Sequence, residues 1–475
     1  MMRAGTRVEH DALGSLPIPT TALYGVHSAR AITNFPFGRL KLGDVQDLVV
    51  SFACIKHAAA AANAKLGVLD PSIACAIVEA CTAMRRGELN HQLCVPLLEG
   101  SGGTSINMCV NEVIANCAII GLGGVPGEYA RVHPNDHVNR SQSSNDVVPS
   151  AIKLASIALA KGAIEALALL AEACEKQAQE LNDAVKLGRT CLQDAQPISM
   201  GQVFGGFAAF ARRGAVQLRH RSDVLLALPL GGTAIGTGFG TPAGYAALVY
   251  QELRALCGLE VRPADNAFDA MANSDEFVRL SGELNAIAGG LGKIANDLML
   301  LSSGPNGGIG EIRLQPLQAG SSIMPGKVNP VVPMAVRQVA HKVAGLHATV
   351  AAASADGMLE INHYEPVIAD ALIEALELTR CAALCLAEKC ILSLQADRDR
   401  MRKLLFASSA PATAIAADLG YDATADLVRE ADKLGVPFVN LIEERGIMTR
   451  RQIEDVVALS VSRASNEGTS REGVS

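Results

Sequence analysis

The chain is expected to be mainly α-helical, organised around a bundle of long helices, and three observations predict this. Hydrophobic residues make up 49% of the 475 positions against 19% charged, with no Trp and only 4% aromatics. That Ala- and Leu-rich palette suits closely packed helices and lacks the aromatic and β-branched bias of sheets. Helical periodicity runs over about 146–182, 198–228, 274–302, 330–354 and 365–396, each stretch longer than the usual helix of about 11–12 residues. The length exceeds what one compact core organises, so two or three structural units are expected. Helices apolar on more than one face bury the extra face against another subunit, which predicts an oligomer.

The remaining elements follow in order. Residues 1–45 are mixed, with turn signals at Leu13 to Pro17 and at Asn34-Phe35-Pro36. Helical periodicity begins near Val45, first at 45–66 and then at 72–87. Gly87, Pro96 and the run Gly100 to Ser105 break it, a helix follows at about 106–120, and a Gly-rich stretch ends at Pro134. Shorter helices are expected at 421–434, 437–444 and 449–460, and the polar tail from Ser462 reads as disordered. The expected division is 1–142, mixed but mostly helical; 143–396, the long-helix bundle; and 397–475, a small helical unit with its tail.

A formal net charge of -7 and no dense basic run argue against nucleic acid as a partner. No apolar run approaches the roughly 18 residues of a membrane span, so no membrane partner is expected. Met1 to His10 is charged and lacks an apolar signal core, which points away from secretion and towards the cytoplasm. Twelve Cys without CxxC pairs read as small buried thiols in a reducing compartment. Cys381, Cys385 and Cys390 share a helical stretch, but no nearby His completes a metal set, and none is expected.

Several polar clusters carry the chemistry. Gly320-Ser321-Ser322-Ile323-Met324-Pro325-Gly326-Lys327-Val328-Asn329-Pro330 is a loop of small residues bounded by Gly and Pro. Such a loop can close over a ligand and carry a hydroxyl that removes a proton, while a cation and an amide hold the resulting negative charge. The run Ser101 to Asn107 lies directly before a helix, where Gly-freed N–H groups and the helix start suit a carboxylate or phosphate, or where Thr104 and its neighbours simply cap. His133 to Asp146 feeds straight into the longest helix. There Ser143, Ser144 and Asn145 offer neutral donors to a dianionic substrate, unless Asn145 or Asp146 merely caps and His133 and His137 are structural. Gly188 to Pro197 interrupts two long helices; an Arg189–Asp194 pair would fix its turn and leave Thr190 and Cys191 at the tip. Gly231 to Pro242 follows a helical pattern, which makes a dinucleotide fingerprint a poor reading, and Gly320 to Lys327 fails the phosphate-loop spacing.

These segments together resemble the aspartase/fumarase lyase superfamily. The 320–330 loop resembles its signature, and Gly103-Thr104-Ser105, Asn135 to Asp146 and Gly188 to Asp194 match its other shared regions, collinearly from about Arg7 to Ser460. Tyr24 to His27, Leu192-Gln193-Asp194, Val331 to Pro333 and Glu365 to Ile368 look most like aspartate ammonia-lyases; Ser143-Ser144 and Gly326 look more like fumarases. The resemblance implies a three-domain fold whose long helices form a twenty-helix core in a homotetramer, with each active site shared between three subunits. It implies a small dicarboxylate substrate and a reaction that needs no cofactor.

By the same resemblance Ser321 is the general base of an anti elimination through an aci-carboxylate intermediate. Thr104, Ser143, Ser144 and Ser322 would hold the carboxylate that takes up charge; Thr190, Lys327 and Asn329 the other; and Asn145 would place the leaving amine. Cys191, Met324 and Met334 are candidate specificity positions. Many relatives carry His where Cys191 stands and a Glu where Met334 stands, so both halves of a polar pair are replaced by soft groups. The leading expectation is elimination of ammonia from L-aspartate. A fumarate hydratase, a lyase on another substituted succinate, and a silent paralogue retained for binding remain alternatives.

Overall fold

A computed structural model of the chain describes residues 5–469. The secondary structure is dominated by helices, among which five long ones stand out. A short hairpin comes first, β1 (Thr6–Asp11) with β2 (Gly14–Pro19), paired antiparallel. The bend falls at Ala12-Leu13, so of the turn signals at 13–17 all but Leu13 lie inside β2, and the strands themselves were not read from the sequence. Helices α1 (Val26–Asn34), α2 (Gln46–Lys65), α3 (Pro71–Arg85) and α4 (Thr104–Gly121) follow. The start of α3 shows why these residues make a helix. Asp70 accepts from the N–H of Ser72 and Ile73, and Pro71 occupies the first position, where its missing N–H costs nothing.

The long helices are α5 (Ser144–Glu180), α6 (Met200–Val224), then after α7 (Tyr245–Cys257) and α8 (Ala267–Ala272), α9 (Asp275–Leu301), α10 (Val331–Ala355) and α11 (Glu365–Leu386). The first four lie within a few residues of the expected stretches, and α11 starts where expected. α11 ends earlier, in a π-helical turn at Ala387–Ile391, so Cys390 leaves the helix that holds Cys381 and Cys385. Between α5 and α6 stands a second antiparallel hairpin, β3 (Val185–Thr190) with β4 (Gln193–Ser199), where the sequence suggested only a polar interruption. A two-residue strand, β5 (Ala227–Leu228), pairs parallel with β6 (Arg262–Pro263), so the Gly-rich stretch from Gly231 does not follow α6 directly.

After β7 (Ile312–Arg313) and its partner β8 (Gln395–Ala396) come α12 (Arg398–Ala407), α13 (Pro411–Leu419), α14 (Tyr421–Leu434), α15 (Phe438–Glu444) and α16 (Arg450–Thr469). The sequence missed α12 and α13. Helix α16 continues through Thr469, which corrects the expectation of disorder from Ser462; residues 470–475 lie outside the described residues.

The chain separates into two compact units. Unit 1 holds Met1–Ile164, Val216–Ala286 and His341–Thr379; unit 2 holds Glu165–Ala215, Ile287–Ala340 and Arg380–Ser475. Each long helix contributes one stretch to each unit. In unit 2, Leu187 of β3 joins Leu405, Phe406, Ile415, Phe438 and Ile453 of the small helices in one apolar core. Helix α5 is apolar enough by length and composition to cross a bilayer, with mean hydropathy 1.8 over its most apolar 18 residues. Lys153, Lys161 and Glu165 interrupt its apolar residues, so no unbroken apolar run marks it in the sequence. In this fold 61% of that window is buried inside the protein.

Candidate active site

In unit 1 the starts of α4 and α5 come together. Gly103 has φ +86, and a Cβ there would meet Val148 at 2.8 Å, so both conformation and close packing require glycine where α4 lies against the first turn of α5. This brings the Thr104 end of α4 to the Ser143–Asn145 end of α5. The N–H groups of Ser101, Gly103 and Thr104 before and at the start of α4 are already occupied. The Glu99 carboxylate accepts from Gly103 N–H at 2.6 Å and from the Ser101 N–H and hydroxyl, while Ser101 Oγ accepts from Ser105 N–H at 2.8 Å. That turn caps itself, and its backbone is not an open anion seat.

The α5 start is different. Ser144 Oγ accepts from Asn107 Nδ2 at 3.0 Å, which leaves its own hydrogen to donate elsewhere. Asn145 Nδ2 donates to the Ala234 carbonyl at 2.8 Å, which ties the Gly-rich 231–242 stretch to the cluster. Asp146 is fully buried and caps through both oxygens, accepting from Ser143 N–H at 2.9 Å and from Gly231 and Thr233 N–H at 2.9 and 3.0 Å. Burial pushes its carboxyl up to about 6, against the three N–H donors and the charge of Lys56. The two histidines hold the backbone of their own turn through Nδ1. His133 Nδ1 accepts from Asn135 and Asp136 N–H, and His137 Nδ1 accepts from His133 N–H at 2.8 Å.

Unit 2 carries the other candidates. In the 320–330 loop, Ser321 Oγ accepts from the N–H of Ile323 at 3.1 Å and of Met324 at 3.0 Å. Asn329 Nδ2 donates to Gly320 O at 2.9 Å and closes the loop's base. A Cβ on Gly320 would collide with the Lys327 carbonyl, so the crossing strands of the loop need glycine there. Ser321 is half-buried, while Ser322, Met324 and Lys327 are exposed. Met334, in the first turn of α10, is 44% exposed.

Thr190 ends β3 opposite Gln193, with Cys191 and Leu192 forming the two-residue turn at φ +51 and +63. Both are non-glycine residues in the left-handed region, a conformation that costs energy and holds the Cys191 thiol outward. The expected Arg189–Asp194 pair is corrected. The two residues face each other in the hairpin register, but the Arg189 guanidinium reaches Glu311 Oε1 at 2.9 Å. Lys186 Nζ lies 3.0 Å from the other oxygen of the same carboxylate, which is fully buried. One buried acid therefore anchors the hairpin that presents Thr190 and Cys191 to the segment that leads into the 320–330 loop.

The sequence missed Lys56, Glu99 and Glu311, and gave Asn107 a place in the Ser101–Asn107 run but no role of its own. Lys56 left a signal, standing alone in the apolar run Phe52-Ala53-Cys54-Ile55-Lys56-His57-Ala58. Glu311 left none, since its partners lie more than a hundred positions away.

A family model described as a lyase matches residues 14–345. Aspartate ammonia-lyases of Helicobacter pylori and Pseudomonas aeruginosa are 39% and 40% identical to the chain over 450 and 455 residues. These matches cover 95% and 96% of the chain and 96% of each relative. The crystal structure of a fumarate lyase:delta crystallin from Brucella melitensis bound to cobalt matches with TM-score 0.92 at 40% identity, covering 96% of this chain and 99% of that one. A class II fumarase from Schistosoma mansoni matches at 0.88 and 32%, with 95% and 98% covered. The chain belongs to the aspartase/fumarase lyase superfamily, with its mainly α fold. It is an enzyme of the lyase class, similar to aspartate ammonia-lyases over nearly the whole length of both chains.

Proposed function

We propose that the chain is a carbon–nitrogen lyase that interconverts L-aspartate with fumarate and ammonia. Ser321, as its alkoxide, takes a proton from the carbon next to one carboxylate. The C–H electron pair moves into that carboxylate as an aci-dianion, then returns to form the double bond as the C–N bond breaks and ammonia leaves. The observation that carries this reading is the Ser321 hydroxyl itself. Two backbone N–H groups already point at Oγ, and these are the donors an alkoxide needs, because an unassisted serine ionises far too reluctantly to act as a base.

In this reading Thr104, Ser143, Ser144 and Ser322 hold the carboxylate that accumulates charge. Thr190, Lys327 and Asn329 hold the other, and Asn145 places the amine. The candidates divide between two units of one chain. We accordingly propose a homotetramer of three-domain chains, with divisions near residues 142 and 396, in which each site draws on three subunits. A cytoplasmic enzyme with no cofactor is the setting that suits this chemistry.

A second reading is a fumarate hydratase or a lyase on another substituted succinate, and one feature favours the substituted succinate while speaking against the hydratase, whose leaving group is water. Cys191 at the exposed hairpin turn and Met334 on α10 are soft groups with little ability to place a small polar leaving group. Incubation with fumarate plus ammonia, and with fumarate alone, separates the two. Aspartate formed only with ammonia supports the first; malate formed without ammonia supports the hydratase; no product from either overturns the aspartase assignment.

A further inference from the structure

We propose that Lys56 is a positioning residue for the carboxylate seat at the start of α5: acting through Asn139 and Asn107, it fixes the Ser144 hydroxyl as an outward donor and supplies positive charge behind it. This rests on the lyase reading of that seat. Lys56 lies on α2 with 0% exposure, among the largest fully buried side chains of the chain. A buried ammonium is costly, and such groups are kept where their charge or direction is used.

The direction can be followed atom by atom. An ammonium only donates, and Lys56 Nζ donates to Asn139 Oδ1 at 2.9 Å, so the oxygen side of that amide must face it. The same oxygen accepts from Asn107 Nδ2 at 3.2 Å, which settles the orientation of the second amide. Asn107 Nδ2 also donates to Ser144 Oγ at 3.0 Å, so the hydroxyl is used as an acceptor and its hydrogen is left for a ligand. Asn107 is 0% exposed, and its Oδ1 has no hydrogen-bond partner. The amide therefore accepts an unsatisfied oxygen to keep its nitrogen in the relay, where a flipped amide would reverse Ser144 from donor to acceptor.

The charge behind the seat titrates near neutrality. The ionisable groups facing Lys56 are Asp146 at the α5 start and Cys81 on α3; Tyr245 and Tyr250 on α7 in turn face Asp146. Burial lowers Lys56 to about 7, opposed chiefly by the charge of Asp146. Burial also keeps Cys81 a thiol and both tyrosines phenols. A dianion in the seat favours the ammonium form. Affinity is therefore complete below the free value and falls as pH rises from about 7 towards the higher value in the complex.

The test is calorimetric titration of succinate, an unreactive dicarboxylate, into the full assembled protein. The range is about pH 6.5 to about 8.5, above the usual carboxylate values so that the ligand stays a dianion. Wild type is expected to bind more weakly as pH rises. Lys56→Met is expected to bind roughly tenfold more weakly at the acid end, the scale of one partly screened charge, and to lose the slope. Asn139→Asp, which sets a carboxylate against the ammonium and keeps it charged, is expected to flatten the slope without removing Lys56, so the test survives if the first variant does not fold. Variants that keep the wild-type slope and affinity overturn the role of Lys56 while leaving the lyase reading intact. Wild type that binds no succinate overturns the seat reading, and this inference with it.

Discussion

The polar residues at the start of α5 in unit 1 and those of the 320–330 loop in unit 2 are held by opposite means. Around α5 the donors are backed by fully buried groups, Lys56 of α2, Asn107 of α4 and Asp146 of α5, whose partners are Asn139, Ser143, Ser144 and the 231–242 stretch. In the loop the bonds are internal: Ser321 takes its donors from two and three residues further on, and Asn329 closes back onto Gly320. Most of that loop is exposed. A substrate seat has to be oriented before the ligand arrives, and buried networks supply that at a cost in desolvation. In the proposed mechanism a base on a lid has to carry its own donors when it moves, and a self-contained loop suits that.

Variants that attack each region are expected to fail differently. Ser321→Ala removes the proposed base without touching the proposed seat, so turnover should fall more than about a thousandfold while succinate affinity stays near wild type. Glu311→Gln leaves the buried Lys186 and the half-buried Arg189 without their carboxylate. About 3–5 kcal/mol of stability should be lost, read from denaturant unfolding, and the hairpin bearing Thr190 should loosen. Lys327→Met should lower kcat/KM for aspartate about a hundredfold, the usual scale of a lost charge-assisted contact, with no change in stability because the side chain is exposed. Cys191→Ser should change the rates within about threefold, since the thiol is exposed on a turn whose backbone conformation the change leaves alone. A large effect from that last variant would move Cys191 from bystander to specificity determinant and favour the substituted-succinate reading.

What the sequence could and could not reveal follows the same contrast. The five long helices were legible because apolar periodicity over more than twenty residues outweighs local ambiguity, and the Gly-Ser-Ser loop was legible because its residues are contiguous. The hairpin β3–β4 was not, because Leu187, Gly188 and Arg189 carry no strand alternation and its register shifts between Leu187 and Arg189. Helix α12 escaped because Arg398-Asp399-Arg400 reads as a polar connector until Asp397 caps it and Leu405 and Phe406 find the unit 2 core. The Arg189 partner was misjudged because a neighbour in sequence was preferred to Glu311, which folding alone brings near. Lys56 was passed over because a lone lysine in an apolar helix carries no motif.

The most direct measurement concerns the carbon–hydrogen bond. Aspartate, fumarate and ammonia, held at equilibrium with the enzyme in heavy water, should gain deuterium at the carbon that loses its proton, followed by NMR. The account expects steady incorporation with wild type and none above the enzyme-free rate with Ser321→Ala, although that variant still binds succinate. Incorporation by Ser321→Ala at the wild-type rate would contradict the assignment of the Ser321 oxygen as the base.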